Sequence, residues 1–337
     1  MTEVKIKKKY YEPQNFKTQF DEVLIDYSKF IFVPLKKDDE LNKRDFLYNR
    51  LKSKRKFASK LNNPLTKFGI LVILLVVTWG VFAPWLAHYN YVIVQGIDFS
   101  VDAYSAPSSL HPLGVSKFGR DVLSRMIWGA RSSLSVGLLS IIFASVAGVM
   151  VGVFSAYQGG LIDSIIMRIV DIIMAFPGLI MIIIIVSILG NEMYYIMIIY
   201  GVLGIPGYAR LIRGTVLQEK SKTYVEASKV SGSSDFRIMF KHILPNCIAP
   251  VIVAVSFNVG GIILSLAGLS FLGFADPNLI EWGTDINIAQ TRLTTAPWAA
   301  VWPGVGIFLT VLGFMLLGDG LRDALDPRLQ GKKKKKK

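Results

Sequence analysis

The chain has little of what catalytic and redox sites are usually built from. Cys247 is the one cysteine in 337 residues, so the chain alone offers neither a disulfide nor a thiolate metal cluster. The three histidines, His88, His111 and His242, lie far apart with no HExxH-type spacing, and no metal site is expected. No GxxxxGK[ST] phosphate loop occurs; Gly331-Lys332 lacks the earlier glycine, so ATP is not bound by that device. The start, "MTEVKIKKKYYEPQ", has no apolar core and is not expected to be a cleavable signal peptide. Charge is scarce too. Only 18% of residues are charged against 52% hydrophobic, with a mean hydropathy of +0.45, too apolar for a soluble protein of ordinary shape.

The apolar residues are gathered into six runs, roughly Phe68–Ala87, Ser133–Tyr157, Val170–Leu189, Tyr194–Ile212, Ile248–Leu272 and Trp298–Gly318. Each has about the 20 helical residues that cross a bilayer core, so an all-α integral membrane protein with six transmembrane helices is expected. Pro177 falls inside the third run and predicts a kinked or broken helix there. Glycines crowd the second run (Gly137, Gly148, Gly152) and the sixth (Gly304, Gly306, Gly313), as close helix packing in lipid favours.

The net charge of +14 would point to nucleic acid in a soluble protein, but here the excess sits at the ends. The first 67 residues hold 17 Lys and Arg against 9 Asp and Glu, and "KKKKKK" closes the chain. A solvated tail explains this without nucleic acid; attraction to anionic headgroups, at about 1 kcal/mol per residue near the surface, is the alternative. With both termini inside, 33 of the 38 Lys and Arg fall on the inner side of the six runs and 5 outside. Both termini are therefore expected in the cytoplasm of a multi-pass protein of the inner or plasma membrane.

The expected plan follows. Residues 1–67 form a cytoplasmic tail whose Leu41, Phe46, Leu47 and Leu51 suit an amphipathic interfacial helix. Residues 68–87 form the first span. An extracytoplasmic loop, 88–132, carries an interfacial helix with Arg120, Asp121 and Arg125 set among headgroups. A five-helix core, 133–318, contains a cytoplasmic loop, 221–246, and a basic tail, 319–337, ends the chain. Asp163, Arg168 and Asp171 read as a local charge network at the inner face.

The loop at 221–246 is polar and closely punctuated between two bilayer-grade runs. "TYVEASKV" is a helix by composition, and Gly232 is its left-handed stop, since it lacks the Cβ that disfavours positive φ. "SSD" supplies caps for a second helix. There Phe236, Met239, Phe240 and Ile243 recur at i, i+3, i+4 and i+7 as one apolar face, and Pro245 ends it.

These residues also resemble a known signature. Glu226-Ala227, Gly232 and Leu244-Pro245 match the EAA motif of permease subunits of ATP-binding-cassette importers: EAA, three residues, Gly, nine residues, Ile, one residue, Leu-Pro. Ser228 and His242 depart from it at the third EAA and the Ile positions. "HILPN", "HPLGVSKFGRDVLSRMIWGARSSLSVG" and "GDGLRDALDPRLQ" are similar to the oligopeptide, dipeptide and nickel branch, and most of all to its C-type permease, over Phe68 to Gln330. In the second of these stretches Val115-Ser116 replace the branch's usual Thr-Asp.

The resemblance implies a type I importer fold in which Glu226, Ala227, Ser228, Gly232, His242, Leu244 and Pro245 form an ATPase-coupling element. It implies as partners a second, B-type permease, two cytoplasmic ATPases that bind ATP and magnesium, and an extracytoplasmic substrate-binding protein. This chain itself would need no cofactor and catalyse nothing. The polar residues available to a pathway are Ser187, Ser256, Asn258, Ser265 and Ser270, a weakly polar set that suits peptides; nickel or another small solute is the alternative within the branch. An ion-coupled secondary transporter is the competing class. It is disfavoured because Glu192 is the sole charge between Ile172 and Ala209, and the second, fifth and sixth runs carry none in their cores. A membrane enzyme lacks a nucleophile–base or metal constellation.

Overall fold

A computed structural model describes residues 63–325 except Phe99 and Pro277; the expected amphipathic segment and lysine tail lie outside them. Helix α1 (Pro64–Leu86) opens with the Asn63 side chain accepting from the Leu65 N–H and with Pro64 where its missing N–H costs nothing. It bends near Phe82, ahead of Pro84. A short α2 (Tyr91–Gln95) follows. Helix α3 (Val122–Gln158) is one uninterrupted 37-residue helix, capped by Asp121 and stopped at Gly159, φ +70°. The expected separate interfacial helix is therefore the first turns of α3.

The third apolar run is not a single helix from Val170. It is a pair, α4 (Gly160–Met174) and α5 (Gly178–Leu189), bent by 84° across Ala175-Phe176-Pro177. Pro177 has no N–H to continue the ladder and restricts the residue before it, which separates the two. Helix α6 (Met193–Lys220) runs two turns beyond the predicted end. The loop follows as α7 (Thr223–Val230), α8 (Asp235–Arg237), a π-helical turn (Ile238–Ile243) and α9 (Leu244–Cys247). Helix α10 (Ala249–Phe271), the short α11 (Trp282–Ala289) and α12 (Trp298–Leu325) complete the order. Five of these helices are long and apolar enough to cross a membrane, and the bent pair makes a sixth crossing if counted as one. The protein is an all-α membrane bundle.

Helices α3 and α6 form its spine. At Gly152 a Cβ would lie 2.4 Å from the Ala209 carbonyl oxygen, and at Gly148 2.7 Å from that of Ile205, so only glycine lets the two backbones approach so closely. Gly304, by contrast, faces open space. Around the spine, Val72 of α1, Val259 and Ile263 of α10 and Phe314 of α12 close one continuous core. On α4, α5 and the break between them, Leu161, Ile165, Ile172, Phe176, Ile180 and Ile184 remain exposed, as a lipid- or subunit-facing surface would.

Candidate functional site

The loop residues are brought together at one end of the bundle. Helix α7 closes in a Schellman motif: the Gly232 N–H donates to Lys229 O at 2.9 Å and the Ser233 N–H to Ser228 O at 3.2 Å. Gly232 has φ +76°, the left-handed conformation read from the sequence, and open space around it. The second limb differs from expectation in three ways. Ser234 makes no side-chain cap. Pro245 does not end the helix, because it enters the first turn of α9 after a π turn whose Leu244 N–H reaches Met239 O. The π turn also rotates the limb, so the predicted stripe divides: Ile238, Met239 and Ile243 are buried, while Phe236 is exposed against a half-buried Phe240 at 4.5 Å.

The buried side of the loop belongs to the bundle. Val225, Ile238, Met239 and Ile243 join the core that contains Val153, Ile212 and Val216. Tyr224 fastens the two limbs: its hydroxyl donates to Glu219 at 2.7 Å and receives the Asn246 amide at 3.2 Å. Burial, with the Glu219 carboxylate beside it, raises the Tyr224 phenol above its ordinary value. His242 contributes its backbone carbonyl, 2.8 Å from the Asn246 amide, and its ring is half-buried. Leu244 is half-buried and Pro245 exposed. Glu226 and Ala227 are exposed, Ser228 is half-buried, and Val230 and Phe236 keep 90% and 69% of their surface open. The outer side thus exposes two large apolar side chains, Val230 and Phe236, among charged residues that include Glu226.

Of the residues proposed to line a path, Asn258 and Ser265 lie on the outward face of α10, with Gly261 and Gly268 between and beyond them. Nothing stands within 4 Å of a Cβ at either glycine. Asn258 donates to the Tyr208 hydroxyl of α6 at 2.9 Å. Ser187 is exposed but donates to Ile183 O of its own helix. Ser256 and Ser270 are buried and line no open face: Ser256 donates back to Ile252 O, and Ser270 lies at the bundle's opposite end. The Asp163–Arg168–Asp171 network is not formed either. Asp163 pairs with Arg213 at 2.7 Å and Asp171 with Arg210, both on α6, while Arg168 is exposed.

That opposite end holds a polar cluster not singled out from the sequence. Glu281 caps α11 by accepting from the Gly283 and Thr284 N–H groups at 2.6 and 3.2 Å. Asp285 pairs with Arg125, and the Trp282 indole N–H donates to Met126 O at 3.1 Å. Arg125 and Asp121 are therefore buried, and Arg120 donates to the carbonyls of Gln95 and Gly96 rather than to headgroups. Burial pushes the Glu281 carboxyl up to about 7 and raises Asp285 against the pull of Arg125. A sequence signal existed: acids at 281 and 285 flanking Trp-Gly in a linker between two spans.

Long apolar helices, one of them a broken pair, around a rigid polar loop anchored in their common core define a multi-pass membrane permease. Residues 148–331 match the model of the binding-protein-dependent transport system inner membrane component, and the chain belongs to that family, within the peptide and nickel branch of ABC importers. The glutathione transport system permease protein GsiD of Pectobacterium atrosepticum is 41% identical over 265 residues, covering 77% of this chain and 86% of that protein. The GsiD proteins of Escherichia coli O6:K15:H31 and Shigella boydii serotype 4 are each 40% identical over 267 residues, covering 78% of this chain and 86% of theirs.

Proposed function

We propose that this permease forms half of an ATP-driven import pathway for small peptides, glutathione among them, with a B-type permease as the other half. Two ATPases grip the 221–246 loop in the cytoplasm, and a substrate-binding protein delivers solute on the other side. Both termini are cytoplasmic, in keeping with the 33-to-5 division of basic residues. Nucleotide-driven closure of the ATPases displaces the loop, and the bundle rocks as a rigid body between its two access states.

The observation that carries this reading is the two-sided loop. A buried side continuous with the helix core transmits force, and an exposed side bearing Glu226, Val230 and Phe236 supplies the grip. Asn258, Gly261, Ser265 and Gly268 supply a small, weakly polar wall on one face of α10, which a peptide backbone can pass without a dedicated charge. The similarity to glutathione transport permeases favours a peptide-like solute over nickel. The test is uptake by the reconstituted complex, with labelled glutathione, di- and tripeptides and nickel offered separately. Peptide uptake that needs ATP and survives collapse of ion gradients is expected. Uptake that stops with the gradients while ATP remains would favour an ion-coupled transporter instead.

A further inference from the structure

At the last turn of α3 four segments meet on one side chain. The side chain of Tyr157 is buried, and its hydroxyl donates to the exposed Asp235 carboxylate at the start of α8, 2.5 Å away in a part-buried bond. Its ring carries the ammonium of Lys220, the last residue of α6, at 5.3 Å, and that of Lys229, in α7, at 5.5 Å. Lys220 also donates to the Tyr157 and Ala156 carbonyls, which α3 leaves without helical partners. Two residues earlier, Ser155 donates to Asp163 at 2.5 Å, and Asp163 receives the Arg213 fork at 2.7 and 2.8 Å, tying in α4 and α6.

Apolar packing and the Tyr224 hydrogen bonds hold the loop to the core and to the end of α6, and the Tyr157–Asp235 bond adds a directional tie to α3. A hydrogen bond from a phenol to a carboxylate is directional and charge-assisted. It sits at one end of a helix about 55 Å long at 1.5 Å per residue. The far end of that helix is pinned by the Arg125–Asp285 pair under α11. A stiff rod held at both ends by charged contacts carries a displacement of the loop to the opposite end of the bundle.

We infer that Tyr157 is a positioning residue for transport: its hydroxyl, bonded to Asp235, locks the loop to α3, so that movement of the docked loop becomes movement of that helix. This rests on the proposed coupling role of the loop. With the lock broken, the loop still presents Glu226, Val230 and Phe236 to the ATPases, and its motion is spent on swinging against the bundle.

The test is the ratio of substrate imported to ATP hydrolysed in the reconstituted complex. Tyr157→Phe keeps the ring and both cations and removes one hydroxyl. It should retain co-purified ATPases and basal hydrolysis within about twofold while import per ATP falls about tenfold, the population shift that one hydrogen bond to a charged group supports. Asp235→Ala should lower import per ATP to the same extent, and the double variant no further than either, since both remove the same bond. Asp235→Asn keeps an acceptor oxygen and should retain most of the ratio. Wild-type coupling in Tyr157→Phe, or additive losses in the double variant, overturns the inference. Failure of the wild-type chain to bind ATPases at all overturns the proposed function instead.

Discussion

Arg125 and Asp285 lie 160 residues apart and meet at 2.6 Å, with 3% and 5% of their side chains exposed. The pair fixes α11, an 8-residue helix between two spanning helices, against the first turns of α3. It also explains why a helix expected to lie flat among headgroups is folded into the bundle. Once Asp285 is buried beneath α11, the nearest guanidinium has to be buried with it.

Removing one partner should cost far more than removing both. Arg125→Met leaves Asp285 buried without its counter-charge, which is expected to destabilise the protein by about 3–5 kcal/mol. Arg125→Met/Asp285→Leu replaces the pair with apolar volume and should recover most of that. Thermal unfolding in detergent, followed by tryptophan fluorescence, checks the order. A double variant as unstable as the single would mean that the pair does not carry the burial cost.

Glu281 makes a pH prediction. Its carboxyl is raised on folding from an ordinary 4.5 to about 7, because burial penalises the charged form. The folded state therefore holds the proton more tightly than the unfolded one between those values. Its contribution is present in full below pH 4.5 and is lost as pH rises through 7, by roughly 3 kcal/mol. Glu281→Gln cannot ionise, and Asp285 titrates in both proteins, so the difference in melting temperature isolates Glu281. The wild type should lose stability relative to the variant between pH 5 and 8. A constant difference across that range would show that Glu281 ionises freely.

Much of this fold was legible from the sequence, and the exceptions have physical causes. Five runs announce themselves by length, and the corner at Gly232 follows from the need for a residue without a Cβ at φ +76°. Pro177 signals a break but not its size, because the 84° bend depends on which helices flank it. The π turn at 238–243 is invisible to a 3.6-residue period, which sets Phe236 on one stripe with Met239, whereas in the structure Met239 is buried and Phe236 exposed. Asn258 and Ser265 fell on the open face, whereas Ser256 and Ser270 did not, since polarity alone does not say which side of α10 is covered. The Arg125–Asp285 and Tyr157–Asp235 contacts join residues far apart in the chain, and no local spacing foretells them.

Sidedness has a direct test in three exposed positions. Single cysteines at Ser109 and Asn278, placed in a Cys247→Ala background, should react with an impermeant reagent added outside sealed cells. A cysteine at Ser234 should react only after the membrane is opened. Labelling of Ser234 in sealed cells would reverse the orientation and detach the loop from any cytoplasmic ATPase.

Gly232 gives the sharpest test of the loop. A Cβ there would touch nothing within 4 Å, so a substitution acts through backbone strain alone and not through a clash. At φ +76° that strain is about 1–2 kcal/mol, and greater for a β-branched side chain. In Gly232→Val the cheapest relief is to leave the left-handed conformation. That breaks the bonds to Lys229 O and Ser228 O and re-aims the second limb with its exposed Phe236. The spanning helices are untouched, so insertion and yield should stay near wild type. Co-purification of ATPases and ATP-driven uptake should both fall several-fold, whereas Gly232→Asn, which tolerates this region better, should fall less. Glu226→Ala removes an exposed charge and leaves the corner intact, so its loss should be smaller still. A Gly232→Val protein that binds ATPases and transports as well as wild type would mean that the loop's rigid corner plays no part in coupling.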